Sequence, residues 1–237
     1  MNVLSGIDSD SRIAIAEGIV KQFNDLILNR KIPLSLNREK IMTRLGEIKS
    51  KLMALKWSYK PLESILQSKE LREIEIYAKD IFDSFPDKWE DTLTARGLEG
   101  KKSVALLNYM KNYFYRLRER LTTGLSNDYA KAIDILCGEI LTIENIDNKN
   151  KKCLVTDGIS RYFVVTNIEE LKKGDVIPIA KLPPQIIYDI LYEGMFVGTS
   201  KGIRKFSKED VSKRPDLTNE ELGQTRGILE QLYVSKK

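Results

Sequence analysis

Apolar residues recur at helical spacing through the first half of the chain. Ile13, Ala16, Val20, Phe23 and Ile27 form one stripe, and Ile41, Leu45, Ile48, Leu52 and Leu55 form the next. This i, i+3/i+4 recurrence predicts amphipathic helices. Asn37 is placed to cap the second of them. Pro61 suits the first position of a third helix, where its missing N–H is no loss; that helix carries Ile65, Leu66, Ile74, Tyr77 and Ile81. Ser84-Phe85-Pro86-Asp87 and Arg96-Gly97-Leu98-Glu99-Gly100 break the pattern. A fourth helix is predicted over about 101–122, with Val104, Leu107, Tyr109, Met110, Phe114, Leu117 and Leu121. A short turn at 124–127 leads to a last helix into Ile133. Four or five helices with short loops predict an α-helical bundle over residues 1–130.

Past residue 135 the period shortens. Segments 137–146, 152–157, 160–166, 175–181 and 194–199 are rich in Val, Ile, Thr, Tyr and Phe. Turn signals divide them: Asp147-Asn148-Lys149-Asn150, Asp157-Gly158, Lys173-Gly174 and Pro183-Pro184. Five strands with no long helix between them predict a small antiparallel barrel. The tail over 216–233 turns helical again. Thr218 with Glu221 makes a capping box, and Leu222, Thr225, Leu229 and Leu232 make the apolar stripe. The predicted class is α+β: a helical bundle, then residues 131–237 as a barrel with a C-terminal helix.

Composition removes much chemistry. The 237 residues contain no histidine, which excludes His-based triads, general bases and metal ligands. Two cysteines, Cys137 and Cys153, form no C-x-x-C and cannot supply a four-ligand zinc site or a disulfide framework. They read as buried thiols in a reducing compartment. No run of 18 apolar residues predicts a membrane span. Met1-Asn2-Val3-Leu4-Ser5-Gly6 lacks the basic and apolar regions of a secretion signal, so a cytoplasmic location is expected. Gly97-Leu98-Glu99-Gly100-Lys101-Lys102-Ser103 glances at a phosphate loop. It has two residues between its glycines where four are needed, and no strand before it. With no acid–base pair or nucleophile constellation in view, the expectation is a protein that catalyses nothing and holds no cofactor or metal.

Charge then narrows the candidates. The 39 basic and 34 acidic residues give a net charge of +5, but unevenly. Residues 131–200 hold 8 basic and 10 acidic side chains, and the following 37 hold 9 and 6. The helix at 101–120 interleaves Lys101, Lys102, Lys111, Arg116, Arg118 and Arg120 with Tyr109, Tyr113, Phe114 and Tyr115. Such a helix either binds phosphates and bases or turns its aromatics inward and its cations to water. In the barrel the cations cluster locally: Lys149, Lys151 and Lys152 at the first loop, Arg161 on the third strand, Lys181 before the prolines, then Lys201, Arg204 and Lys205. Small five-stranded barrels bind oligonucleotides on the face of strands 2 and 3 and the loops beside it. Tyr162 and Phe163 point to opposite faces, and Arg161 shares the side of Phe163. If Arg161 faces solvent, Phe163 is the candidate stacking platform, with Tyr162 as the alternative.

The stretch Ala132-Ile133-Asp134-Ile135-Leu136-Cys137-Gly138-Glu139-Ile140 resembles the opening strand of the tRNA-binding domain. This is the OB-fold module of endothelial-monocyte-activating polypeptide II, of methionyl-tRNA synthetase extensions and of a small bacterial export chaperone. Val164-Val165-Thr166-Asn167, Lys172-Lys173-Gly174-Asp175, Leu182-Pro183-Pro184 and Glu193-Gly194-Met195-Phe196-Val197-Gly198 follow in that module's order. The likeness extends to stand-alone archaeal proteins that join a helical N-terminal region to this domain. It implies an OB-fold that binds RNA, tRNA in relatives, with phosphate contacts from the barrel's cations and stacking on Phe163. The near-neutral barrel and the basic position lost before the Met motif suggest an alternative, docking to a translation enzyme or the ribosome, and the resemblance adds a homodimer as an assembly relatives adopt. The chain departs from the family in three places, one being that the second strand's usual continuation into a longer hairpin is cut to Asp157-Gly158. Ile146-Asp147-Asn148-Lys149-Asn150-Lys151 stands where relatives carry a His-Pro-x-Ala-Asp segment, and Tyr188-Asp189-Ile190-Leu191-Tyr192 stands where many carry Arg-Gly-x-x-Ser.

Overall fold

A computed structural model describes residues 7–233; residues 1–6, read above for a leader, lie outside the described residues. The chain divides into two compact units, Met1–Ala132 and Ile133–Lys237.

The first unit is helical: α1 (Ser11–Leu28), α2 (Arg38–Lys56), α3 (Leu62–Leu66), α4 (Lys69–Asp83), α5 (Trp89–Thr94), α6 (Leu98–Tyr115) and α7 (Leu117–Leu121). The stripes read from the sequence are buried, Ile13, Phe23 and Ile27 on α1 and Ile41, Leu45, Ile48 and Leu52 on α2 among them. Helix α2 packs against α1 and α4, and α4 against α6. Asp10, Asn37 and Ser68 cap α1, α2 and α4 by accepting from the Arg12, Lys40 and Leu71 backbone N–H groups.

The helical expectations are corrected at five points. The third helix is two, because the Ser68 hydroxyl takes an N–H that would otherwise continue the spiral, and the chain restarts there. Pro61 is the residue before α3 rather than its first member. The fourth helix starts earlier, at Leu98, and breaks at Arg116, whose φ of −106° and ψ of 9° leave the helical region. The segment at 89–94, too short for a visible stripe, is α5. The last helix into Ile133 is only a single 3-10 turn, Tyr129–Lys131, capped by Asp128. The glycines of the phosphate-loop look-alike have structural work instead. Gly97 takes a φ of +79°, and a Cβ on Gly100 would sit 1.8 Å from the Leu93 carbonyl oxygen, so Gly100 is what lets α6 approach α5 so closely.

One charged pair lies wholly inside this unit. Arg12 and Asp10 are 0% and 1% exposed, with Nη2 2.5 Å from Oδ2. Arg12 Nη1 also donates to Arg120 O at 2.5 Å and to Thr123 Oγ1 at 3.0 Å, and Nη2 donates to Gly124 O. Asp10 accepts from Ser126 N at 2.8 Å, and Ser11 Oγ donates to Ser126 O and Asp128 O. The start of α1 is thereby fastened to the segment that follows α7.

The second unit has strands β1 (Ile135–Asn145), β2 (Lys151–Thr156), β3 (Arg161–Thr166), β4 (Val176–Ile187) and β5 (Ile190–Phe196). They close into a ring in the order β1-β2-β3-β5-β4, the strand order of an OB-fold. The expected purely antiparallel barrel is corrected in one place: β3 and β5 run parallel. Ile140, Cys153, Val155, Tyr162, Val164, Ile177, Ile179 and Phe196 fill the interior. Pro183-Pro184, read as a turn, lies inside β4. The pairing with β5 shifts between Lys181 and Gln185, so neither proline is asked for a ladder hydrogen bond. The true turn is Tyr188-Asp189, with φ values of 52° and 56°, the two left-handed residues that a tight hairpin requires. Beyond β5 the chain laces back: Phe206 N donates to Val176 O, Cys137 N to Lys213 O and Ser212 N to Cys137 O. The capping box forms, with Thr218 N to Glu221 Oε2 at 2.7 Å. It closes a separate turn, and α8 (Gly223–Tyr233) begins only after it. Thr225 and Leu229 are the buried residues of α8.

Removing one partner of a buried ion pair strands the other charge, which costs about 3–5 kcal/mol. Arg12→Ala is expected to lower the unfolding free energy by about that amount in a chemical denaturation series. A loss below about 1 kcal/mol, the value of an exposed pair, would show that Arg12 does not hold this corner.

Candidate nucleic-acid interface

Alternation sorts the side chains of β2 and β3. Cys153 and Val155, with Tyr162 and Val164, turn into the barrel. Lys152, Leu154 and Thr156, with Arg161, Phe163 and Val165, turn outward, and all are exposed or half-buried. Leu154 stands opposite Phe163 across the ladder, and Phe163 is in register with Tyr192 on β5. Lys152 Nζ lies 5.2 Å from the centroid of the Phe163 ring. This places Phe163 outward beside two cations, on the face the sequence nominated.

The loop from β1 to β2 borders this face. Asp147 Oδ1 accepts from Lys149 N at 2.8 Å and Asn150 N at 2.7 Å, while Asn150 Nδ2 donates to Asp147 Oδ2 at 2.8 Å. The Asn150 side chain, followed by these backbone bonds, holds the Asp147 carboxyl below its ordinary range. Asn150 Nδ2 also donates to Tyr188 Oη at 3.1 Å, so the β1–β2 and β4–β5 loops touch. Below the first loop lies an open cleft of about 570 Å³, lined by Asn145, Asp147, Lys149, Lys151 and Glu169 among others.

Most of the nominated cations already have partners. Lys152 Nζ is 2.5 Å from Glu144 Oε2, and Lys181 Nζ is 2.5 Å from Asp157 Oδ2. Lys205 Nζ is 2.8 Å from Asp175 Oδ2. Arg204 Nε is 3.2 Å from Glu221 Oε1, and the guanidinium stacks 4.9 Å from the Phe206 ring. Lys151 Nζ donates to the Glu169 carbonyl at 2.8 Å. Lys149, Arg161 and Lys201 are exposed and make no ion pair among the described residues. The structure thus puts Lys152, Arg161 and Phe163 on one outer face, while Lys151 has the parity of the inward Cys153 and stands at the opposite end of the β2–β3 ladder from Arg161, with Lys149 in the loop beyond it. It puts Lys181 with Asp157 beside the β2–β3 hairpin, and Lys201, Arg204 and Lys205 in the segment after β5. The rival helix follows the inward alternative. Tyr113 and Phe114 are buried, Arg116 pairs with Glu119, Arg118 with Glu75, and Arg120 stacks on Tyr113 at 4.9 Å.

Two side chains at the face were not nominated, Asn150 and Tyr188. The signal for Tyr188 was its place in the Tyr-Asp pair that departs from the family. No sequence signal joins it to Asn150, which stands 38 residues away.

The site's carboxylates shift in opposite directions. Burial raises Asp157, but the hydrogen bonds from Lys181, Ser160 N and Ile159 N outweigh it, leaving the carboxyl below its ordinary range. Glu193 has no such bonds; burial raises it, and Lys181 only partly opposes the rise. The two thiols, Cys137 and Cys153, are buried and unbridged, and burial pushes each up to about 11. Among the described residues no three Cys, Asp or Glu side chains are grouped to hold a metal, and no helix is long and apolar enough to cross a membrane.

For Glu193 the sign follows directly. An acid raised on folding is penalised when ionised, so its cost is present above its folded pKa and vanishes as pH falls. Glu193→Gln is expected to melt higher than the parent at pH 7, with the gap closing toward about pH 4, where an ordinary glutamate is half protonated. Equal melting temperatures at pH 7 would mean the carboxylate is not penalised.

No curated protein matches the chain. The helical half does match a family model: one described as an alpha helical domain covers residues 5–124, just over half of the 237 residues and the whole run from α1 to α7. The chain therefore belongs to the alpha helical domain family, with a closed ring of five strands following the matched helical region.

Proposed function

We propose that this protein binds RNA on the outer face of β2 and β3 and performs no catalysis. The observation that carries the reading is Phe163: outward, half-buried, with Lys152 5.2 Å from its ring and Arg161 exposed on the same strand. An aromatic face flanked by cations stacks a base while the cations meet the adjoining phosphates. The resemblance to the tRNA-binding domain supports the same face, and makes tRNA or another structured RNA of the translation machinery, in the cytoplasm, the partner it implies.

The ion pairs set the electrostatics of such binding. A lysine held 2.5 Å from a carboxylate, as Lys152 and Lys181 are, releases few counterions when a phosphate arrives. Lys149, Arg161 and Lys201 remain. Three phosphate contacts on unpaired RNA correspond to a log–log salt slope of about −2. Filter binding between about 50 and 200 mM salt is expected to give a slope near that value. Arg161→Glu is expected to weaken retention several-fold. No RNA retained at the low end would overturn the reading.

A second reading, docking to a translation protein or the ribosome, is favoured by the same pairing of cations and by Ile159, 91% exposed at the tip of the β2–β3 hairpin. Partners that survive nuclease digestion in a pull-down, and are lost with Ile159→Asp, would favour it over RNA.

A further inference from the structure

We infer that the ligand of this face is an unpaired RNA strand rather than a duplex, gripped by two aromatic platforms, Phe163 and Tyr188. The inference rests on the RNA reading above and names its substrate class. Tyr188 is 55% exposed and sits in the left-handed hairpin turn with a φ of 52°. Its hydroxyl accepts from Asn150 Nδ2 at 3.1 Å, which fixes it beside the start of β2. Asn150 and Lys152 are two residues apart, so they lean to one side of the chain about 7 Å from each other. Lys152 reaches the Phe163 ring at 5.2 Å. Tyr188, Asn150, Lys152 and Phe163 therefore make one continuous run along the surface, with an aromatic ring at each end and polar groups between.

What this run can hold follows from what each form of RNA presents. A duplex shuts its bases inside and offers phosphates and 2′-hydroxyls, so a protein recognises it chiefly with cations. On this face Lys152 is occupied by Glu144, which leaves Arg161 on β3 and Lys149 in the bordering loop, too few cations to hold a duplex backbone. Outward rings would find nothing to stack on. An unpaired strand offers base faces that any aromatic side chain can take, with a backbone needing only a few cations. Asn150 adds a carboxamide between the two rings, able to bond a base edge once the strand displaces it from Tyr188.

The test compares a labelled, unstructured RNA of about 16 nucleotides, the upper site size of one such barrel, with the same strand annealed to its complement. Fluorescence anisotropy at low salt is expected to show the single strand binding at least about tenfold tighter, since each base stacked is worth roughly 5- to 100-fold. Phe163→Ala and Tyr188→Ala are each expected to weaken single-strand binding within that range and leave duplex binding unchanged. Tyr188→Phe, which keeps the ring and drops the bond from Asn150, is expected to bind as the parent does. Circular dichroism of each variant confirms that it is folded. A duplex bound as tightly as the strand, or a folded Tyr188→Ala variant of unaltered affinity, overturns the inference while leaving RNA binding standing. Binding of neither RNA overturns both.

Discussion

Arg12 is the constraint on which the helical unit depends. A guanidinium cannot shed its charge, so burying it at 0% exposure costs several kcal/mol unless its donors are met. The donors are met by both oxygens of Asp10, by the carbonyls of Arg120 and Gly124 and by the Thr123 hydroxyl. The Arg12 carbonyl in turn accepts from the buried Tyr113 hydroxyl at 3.1 Å. The segment after α7 has almost no regular structure of its own, so its backbone groups need partners from elsewhere. Arg12, Ser11 and Asp10 provide them. The path of the chain out of the bundle is thus dictated by one cation at its beginning.

The same economy, cation matched to acceptor, governs the barrel and shapes what it can do. Glu144 opposes Lys152 in the β1–β2 register, and Asp157 meets Lys181 across the barrel. The Lys152–Glu144 pair is part-exposed and contributes little stability, while the Asp157 carboxylate of the other pair is buried. For the first pair the effect on binding is larger than the effect on folding, because a carboxylate already beside the ammonium repels an arriving phosphate. Affinity on such a surface must come from shape and stacking more than from charge, which is why the outward aromatic rings carry the functional reading.

How much of this was legible depended on whether a feature is local. The stripes of α1 and α2 were readable because Ile13 to Ile27 and Ile41 to Leu55 state their period within one element. Phe163 was readable for the same reason: alternation with Arg161 fixes its side of the strand. The divide between α3 and α4 was not, since Ser68 acts by a single capping bond inside an unbroken apolar pattern. Nor was the Tyr188-Asp189 turn, which takes left-handed backbone without the glycine that normally announces it. Pro183-Pro184 misled because a proline pair resembles a turn until the bulge that excuses it is known. The ion pairs were illegible in principle. Arg204 and Glu221 stand 17 residues apart, and only the folded path brings them together, so a count of cations overstated the positive surface.

Which part of the barrel remains open follows from where the tail runs. Its backbone takes the Cys137 N–H and carbonyl and the Val176 carbonyl, occupying the first stretch of β1 and β4. Helix α8 sets Thr225, 0% exposed, 3.9 Å from Met195 Sδ at the end of β5. Those segments cover the β1, β4 and β5 side with the protein's own chain. Among the described residues of this unit the tail meets β2 and β3 at their hairpin, where Ser212 Oγ donates to Asp157 O, and Leu154, Phe163 and Val165 leave half-buried apolar surface on the outer face. A strand face that keeps an aromatic ring half in water, while a neighbouring face is strapped shut, is kept open at a cost in hydrophobic burial. That cost, together with the Asn150–Tyr188 contact at its border, is the physical ground on which a ligand is proposed for this face.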